Sequence, residues 1–236
     1  MSDISVRRLT GGFGLAAGIL IVVALALYVG AGTPPPPGDN AKTIDFVTRN
    51  KDLLFGGSIT DTLNAACFLV FVAGFRHLIR QARPDFEWVA TLVFGAGVAY
   101  VGVTFTFDML IGGAALDTTV TPDASAIRAL GEGSMLALGS VGLVSAALFL
   151  GSAGLAITRS FVLPAWIGWL GYVGAILNLV AVPTIYGGID ATAFYSVNGY
   201  APLVLGTLPF LIWLLAAGTT LLVARGHAAS RENDSG

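Results

Sequence analysis

The stretch GSMLALGSVGLVSAALFLGSAGLAIT, residues 133–158, lies between Glu132 and Arg159 and contains no charged residue. A helix rises ~1.5 Å per residue, so about 20 apolar residues cross a hydrocarbon core ~30 Å thick. In lipid every backbone N–H and C=O must be satisfied internally, and a helix does this within one segment. A β-barrel would instead show short strands of alternating polarity. This stretch therefore predicts a membrane-spanning helix.

The rest of the chain repeats this pattern, because charge-free intervals recur on both sides of residues 133–158. Each interval is long enough to hold one spanning helix. We therefore predict an all-α fold, a polytopic bundle of six transmembrane helices at residues 10–31, 56–77, 87–108, 122–157, 163–183 and 201–224. In this prediction residues 1–225 form a single membrane domain, and residues 226–236 form a disordered cytoplasmic tail.

The composition excludes several classes of protein. Of 236 residues, 55 % are hydrophobic and only 11 % are charged, whereas about a quarter of the residues in a soluble domain are charged. One cysteine excludes an intrachain disulfide framework and a cysteine-rich zinc site. The net charge of −2 gives no reason to expect nucleic acid as a partner.

The basic residues predict the orientation. If the N-terminus faces the cytoplasm, eight of the 12 basic residues fall on the cytoplasmic side and four on the outer side. Cytoplasmic loops carry an excess of Lys and Arg, so we predict that both chain ends lie inside (N-in, C-in). Aromatic rings favour membrane boundaries; Trp88, Trp166 and Trp169 fall at the predicted inner boundary, and Tyr28, Tyr186 and Tyr200 at the outer one.

The N-terminus also has features of a secretory signal peptide, since Arg7 and Arg8 precede an apolar run that ends near Val29-Gly30-Ala31. Signal peptides have apolar regions of ~7–15 residues, and the run here is longer. We therefore expect it to be retained as the first span. Cleavage would leave five spans.

Small residues recur at helical spacing, for example Gly14 and Gly18 in the first predicted helix. Such pairs allow helices to approach closely in lipid. We expect them to pack within one bundle; dimerisation is the alternative.

Polar residues at membrane depth are the main functional signal. A charge at the centre of a spanning helix costs ~2.5–3.5 kcal/mol on insertion scales, so it usually has a partner or a purpose. By helix rise, Asp61 lies ~22 Å from the inner boundary at Arg76, inside the predicted hydrocarbon core. The candidate ligand-binding residues all fall in the predicted outer half: Asp61, Asn64, Tyr100, Asp108, Arg128, Glu132 and Asn178.

Two interpretations of these residues stay open. Arg128 is the only basic residue near these acids, and it can pair with Glu132 at i, i+4. The functional interpretation is an outward-facing polar cavity for a small ligand or cation. The structural interpretation is that the polar side chains connect helix ends and meet headgroup water.

The sequence contains no H-E-x-x-H, G-x-S-x-G or Walker motif. Its two histidines, His77 and His227, fall at the predicted cytoplasmic surface, and Cys67 lies in the middle of a helix. We therefore predict no catalytic residue, no metal ligand and no cofactor.

The segment TRSFVLPAWIGWLG, residues 158–171, carries an Arg-Ser turn, then Leu-Pro, a tryptophan and Leu-Gly. It resembles a signature of bacterial six-span membrane proteins classed as a domain of unknown function. The pattern of that family has a basic residue after Leu-Pro, where this chain has Ala165. The resemblance implies the six-span plan and supplies no catalytic residue. With the excess of arginine over lysine, it favours the plasma membrane of a bacterium.

Three functional hypotheses follow. The absence of enzyme motifs favours a non-catalytic accessory or binding protein, whose partners would be the lipid bilayer and another membrane protein or a small ligand. The second hypothesis is a small transporter or ligand-binding protein with an outward-facing polar cavity. The third is a membrane enzyme that acts on a lipid.

Overall fold

The computed structural model describes residues 3–35 and 39–223, and within them it contains helices and no strand. The predicted tail at residues 226–236, the last residue of the sixth predicted span and His227 lie outside the described residues. The helices are α1 (Asp3–Ala31), α2 (Asn40–Ala82), α3 (Glu87–Asp117), α4 (Ala124–Leu136), α5 (Gly142–Ser160), α6 (Ala165–Ala181) and α7 (Leu208–Val223). The all-α prediction is confirmed.

Four irregular turns connect or extend these helices. A π-helical turn, Ala137–Val141, joins α4 to α5 into one crossing, and a second, Pro202–Thr207, leads into α7. A 3₁₀ turn, Pro84–Phe86, precedes α3, and another, Val182–Gly187, follows α6. Six helices, counted over the described residues, are long and apolar enough to cross a membrane, so the chain has the composition and architecture of a multi-pass membrane protein.

Helices α1, α2 and α3 extend beyond the predicted spans. Helix α2 has 43 residues, about 65 Å at the helical rise, although the predicted second span begins only at residue 56. The additional N-terminal turns carry the charges of Lys42, Asp45, Arg49, Lys51 and Asp52. Asp39 caps this helix, since its Oδ1 accepts a 3.0 Å hydrogen bond from the Lys42 N–H. The charges mark where the apolar stretch begins, but the helix itself starts earlier.

The connections define two ends of the bundle. The segments after α1, α3 and α6 lie at one end, named here the cavity end, and those after α2 and α5 lie at the other, named the basic end. At the basic end, an Arg7 terminal nitrogen donates to Val162 O at 3.0 Å and Arg83 Nη1 donates to Arg159 O at 3.1 Å. Both termini of the described chain thus lie at the basic end, as an even number of crossings requires. Which end faces the cytoplasm stays a prediction.

The core at the basic half is aromatic. Phe71, Phe75, Phe149 and Trp213 are fully buried, and their rings meet edge to face or stacked. The Trp213 indole N–H donates a 3.1 Å hydrogen bond to Ile167 O, so the polar edge of this buried ring is satisfied. This contact connects α7 to the first turn of α6.

The small residues of α1 pack within the bundle. A Cβ at Gly14 would lie 2.7 Å from a Phe71 ring carbon, and a Cβ at Gly18 would meet Leu215 of α7 within 3.0 Å. The absence of side chains at these positions permits the close approach of α1 to α2 and α7. Packing inside one chain therefore accounts for this pair.

Candidate functional site

A cavity of about 1040 Å³ lies at the cavity end of the bundle. Its walls come from α1 to α4, from the turn that follows α4, and from the loop at residues 188–201. The apolar wall includes Leu54, Phe107, Ile111, Ile127, Met135 and Leu138. Its polar residues include Arg128, Glu132, Asp190 and Asn198. The cavity is thus an apolar space with a few polar groups.

Helix α4 carries the charged pair of this cavity. Asp123 caps α4, because its Oδ1 accepts a 2.8 Å hydrogen bond from the Ser125 N–H. Asp117 at the end of α3 accepts a 2.8 Å bond from the Asp123 N–H and fixes the turn between the helices. One turn further on, Arg128 Nε lies 3.2 Å from Glu132 Oε1. The i, i+4 spacing places both side chains on the face of α4 that lines the cavity.

Internal hydrogen bonds hold the loop at residues 188–201 in shape. Asp190 Oδ1 accepts from the Thr192 N–H at 2.9 Å and from the Thr192 hydroxyl at 2.7 Å. These bonds hold the pKa of the exposed Asp190 carboxyl below its usual range. Ser196 Oγ donates to Asp190 O at 2.5 Å. The loop is therefore an ordered wall of the cavity.

Asn198 supplies an unused acceptor in this wall. Its side-chain nitrogen donates to Ile189 O at 3.1 Å. Its Oδ1 is buried and has no hydrogen-bond partner among the residues that the structure describes. A buried acceptor without a partner costs free energy, so a donor on a bound molecule would be stabilised here.

A second polar group lies between α1, α2 and α3. We name it the carboxylate cluster and define it as Tyr28, Ser58, Asp61, Asn64 and Asp108. Asn64 Nδ2 donates to Asp61 Oδ1 at 3.1 Å. Asp61 is 9 % exposed, Asn64 4 % and Asp108 7 %. Two carboxyl groups are thus buried in one region of an apolar bundle.

The carboxylate cluster contains four buried oxygen atoms without partners. Within the described part of the chain, Tyr28 OH, Ser58 Oγ, Asn64 Oδ1 and Asp108 Oδ1 make no hydrogen bond. Tyr28 also lines the cavity, and its ring meets Phe107 edge to face with the ring centres 5.7 Å apart. Tyr28 therefore belongs both to the carboxylate cluster and to the wall of the cavity.

The seven residues singled out from the sequence occupy four places. Arg128 and Glu132 line the cavity, and Asp61, Asn64 and Asp108 belong to the carboxylate cluster. Tyr100 packs in the aromatic core, with its ring stacked on Phe210 at 4.8 Å. Asn178 is fully buried between α6 and the turn before α7, where its Nδ2 donates to Gly174 O at 2.8 Å. The seven therefore do not line one common cavity.

Sequence reasoning missed several residues of both sites. Ser58 precedes Asp61 by three positions and so lies on the same helical face, a signal that was available. Tyr28 was predicted at the membrane boundary, and no sequence pattern indicates that its side chain points into the bundle. The loop residues Asp190 and Asn198 were missed because a loop has no sequence periodicity that would indicate which side chains line a cavity.

A smaller depression of about 330 Å³ lies at the basic end and is lined by His77, Arg80, Gln81, Pro84 and Glu87. Glu87 pairs there with Arg80, and its Oε1 lies 2.8 Å from an Arg76 terminal nitrogen. These contacts tie α2 to the start of α3. The charges of the depression are engaged in that connection, which favours the cavity as the binding site.

A family model described as Domain of unknown function (DUF4386) matches residues 9–218, and the chain belongs to this family. The match confirms the resemblance in the segment at residues 158–171 and spans both sites. No curated protein and no solved structure matches the chain.

Proposed function

We propose that this member of the family is a non-catalytic membrane protein that binds a lipid-like amphiphile in the cavity. One observation carries the proposal: a space of about 1040 Å³ with mostly apolar walls and a few polar groups. Ligand sites are typically clefts of ~300–1,000 Å³ with this character. An apolar lining suits a hydrocarbon chain better than the small polar solute that the sequence suggested.

The polar groups favour a head group that both accepts and donates hydrogen bonds. Arg128 uses Nε toward Glu132, and a guanidinium has further N–H donors on its terminal nitrogens. Those donors suit a phosphate or carboxylate. The unpartnered Asn198 Oδ1 suits a donor such as an ammonium or a hydroxyl. A zwitterionic lipid such as phosphatidylethanolamine combines both properties.

The lining also supports a role without catalysis. Among the described residues, the lining contains no serine, cysteine, lysine or histidine; its hydroxyl groups belong to Tyr28 and to four threonines, and no histidine lies beside them as a base. A nucleophile with an adjacent base is the usual requirement for covalent hydrolysis of a lipid. We place the protein in the plasma membrane of a bacterium, with the bilayer as its surroundings and as the source of the ligand.

The test is to fill the cavity. Gly131 lines it, and a Cβ at Gly131 would have no atom within 4 Å, so Gly131→Trp places a ring in the space without displacing backbone. Gly102 on the exposed side of α3 has equally open surroundings, so Gly102→Trp is the matched control. Phosphatidylethanolamine is titrated into the full-length protein in detergent, and bound lipid is counted by native mass spectrometry.

We expect saturable binding to the wild type and to Gly102→Trp, and loss of that binding in Gly131→Trp. Equal binding by all three proteins, or none by the wild type, would overturn the proposal. The same spectra test the accessory hypothesis, because a stoichiometric membrane-protein partner would appear as an additional mass.

A further inference from the structure

We propose that the carboxylate cluster binds a hard metal cation through oxygen atoms of α1, α2 and α3. This site is distinct from the lipid-binding cavity, and the inference does not depend on the cavity's ligand. It rests on three observations: buried carboxyl groups without a basic partner, unpartnered oxygen atoms and oriented carboxyl groups.

The first observation is that two carboxyl groups are buried without a basic partner. Asp61 and Asp108 are both less than 10 % exposed. Within residues 3–35 and 39–223, neither forms a salt bridge with a Lys, Arg or His side chain. Two buried carboxyl groups without a basic partner either stay protonated or bind a cation, since burial of an isolated charge is costly. A bound cation would allow them to be ionised.

The second observation is the donor set. The unpartnered Ser58 Oγ and Asn64 Oδ1 belong to side chains that are more than nine-tenths buried. Asp108 Oδ1 and Tyr28 OH add two further unpartnered oxygens from neighbouring helices. Carboxylates, amide carbonyls and hydroxyls are oxygen ligands, which hard cations such as Ca²⁺ prefer over nitrogen or sulfur. Buried water on these oxygens, or a proton on each carboxyl group, is the alternative, and neither gives a response to metal salts.

The third observation is that neighbouring groups orient the donors. Thr62 Oγ1 donates to Asp108 Oδ2 at 2.9 Å, which leaves Oδ1 as the unpartnered atom. Asn64 Nδ2 donates to Asp61 Oδ1, which keeps the Asn64 amide within the cluster. Such supporting bonds orient the ligands of metal sites. Tyr28 also borders the cavity, so the cluster and the cavity are neighbours.

Sodium and calcium share this oxygen chemistry, and the experiment distinguishes them. The full-length protein is purified in detergent with choline chloride as the only salt. Its thermal unfolding midpoint is then followed as NaCl or CaCl₂ is added, with choline chloride at matched ionic strength as the reference. We expect one of the two metal salts to raise the midpoint in a saturable manner, since a ligand of the native state stabilises it.

Three variants show whether the response comes from this site. Asp108→Asn should abolish the rise, whereas Asp52→Asn, which changes an exposed acid on α2, should retain it. If Asp108→Asn does not fold, Tyr28→Phe decides, because it keeps the ring against Phe107 and removes only the hydroxyl. We expect Tyr28→Phe to weaken the apparent affinity by about tenfold or more.

Three results would overturn the inference. The first is that neither metal salt acts on the wild type, and the second is that choline chloride acts equally well. The third is an undiminished response in Asp108→Asn or, if that variant does not fold, in Tyr28→Phe. Lipid binding is measured separately with Gly131→Trp, so either proposal can fail while the other stands.

Discussion

Thr62 Oγ1 on α2 donates a 2.9 Å hydrogen bond to Asp108 Oδ2 on α3. The bond crosses the interface of the two helices and satisfies one oxygen of a carboxyl group that is 7 % exposed. It therefore has a structural consequence, because it couples the two helices, and a chemical one, because it determines which oxygen of Asp108 is left without a partner.

Thr62→Val should destabilise the protein. Valine has nearly the same shape but cannot donate, so Asp108 Oδ2 would be left buried without its partner. We expect a loss of about 1–3 kcal/mol in the free energy of unfolding, measured by denaturation in mixed micelles. Thr106→Val is the control, since the Thr106 hydroxyl bonds to Gly102 O within α3. Equal losses in the two variants would contradict the role of the bond between the helices.

Gly171→Ala should also destabilise the protein. A Cβ at Gly171 would lie 2.8 Å from Leu150 O and 3.2 Å from the Trp213 indole nitrogen. Since the first of these atoms belongs to backbone, helices α5 and α6 would have to separate, at a cost of about 1–3 kcal/mol. Gly102→Ala meets no atom within 4 Å and should raise stability by about 0.5–1 kcal/mol, because alanine favours a helix over glycine. Thermal unfolding should therefore show a lower midpoint for Gly171→Ala and a higher midpoint for Gly102→Ala than for the wild type.

Phe161→Gly should raise stability. Phe161 ends α5 at φ 57° and ψ 22°, in the left-handed region, and its side chain is 78 % exposed. This conformation costs a residue with a Cβ about 1–2 kcal/mol, and glycine avoids the cost. Phe161→Ala removes the ring but keeps the Cβ, so it should show no comparable gain in the unfolding midpoint. An equal gain in Phe161→Ala would show that removal of the exposed ring, and not relief of the backbone conformation, raises the stability.

Single-cysteine labelling tests the predicted orientation. After Cys67→Ala, one cysteine is placed at Tyr186 near the cavity end or at Phe161 at the basic end; both side chains are highly exposed. The excess of arginine at the basic end predicts that it faces the cytoplasm. A membrane-impermeant thiol reagent should then label Tyr186→Cys in intact cells and label Phe161→Cys only after permeabilisation. The reverse pattern would refute the N-in, C-in orientation.

The loop at residues 188–201 should lose stability in acid. The bonds from Thr192 lower the pKa of Asp190 in the folded state. The carboxylate therefore contributes stability above its unfolded pKa of about 3.9, and this contribution is lost as the pH falls through the folded pKa. Wild type should exceed Asp190→Asn in unfolding midpoint at about pH 6, and the difference should vanish at about pH 2. A difference independent of pH would show that the charge is not responsible.

The sequence predicted the helices better than the sites. Charge-free intervals placed six helices, because the cost of charge in lipid acts on each segment separately. They did not place the start of α2 at Asn40, because its first turns carry charged residues. A helix can form from such residues outside lipid, but it leaves no charge-free interval in the sequence. Helix rise placed Asp61 at ~22 Å and Asp108 at ~31 Å from the inner boundary, yet the structure brings them into one cluster. The same rise placed Asn178 at the depth of Asp61, yet it lies between α6 and the turn before α7.

Composition and periodicity by themselves determined that this chain is an all-α, multi-pass membrane protein, because the bilayer imposes the same requirement on every backbone group. They also predicted that the small residues of α1 lie on one contact face, because spacing along one helix defines one face. Only the tertiary structure decided which helices are neighbours and how each is rotated about its axis. For that reason it alone revealed the apolar cavity beside Arg128 and the inward direction of Tyr28, since both arise from side chains far apart in the chain.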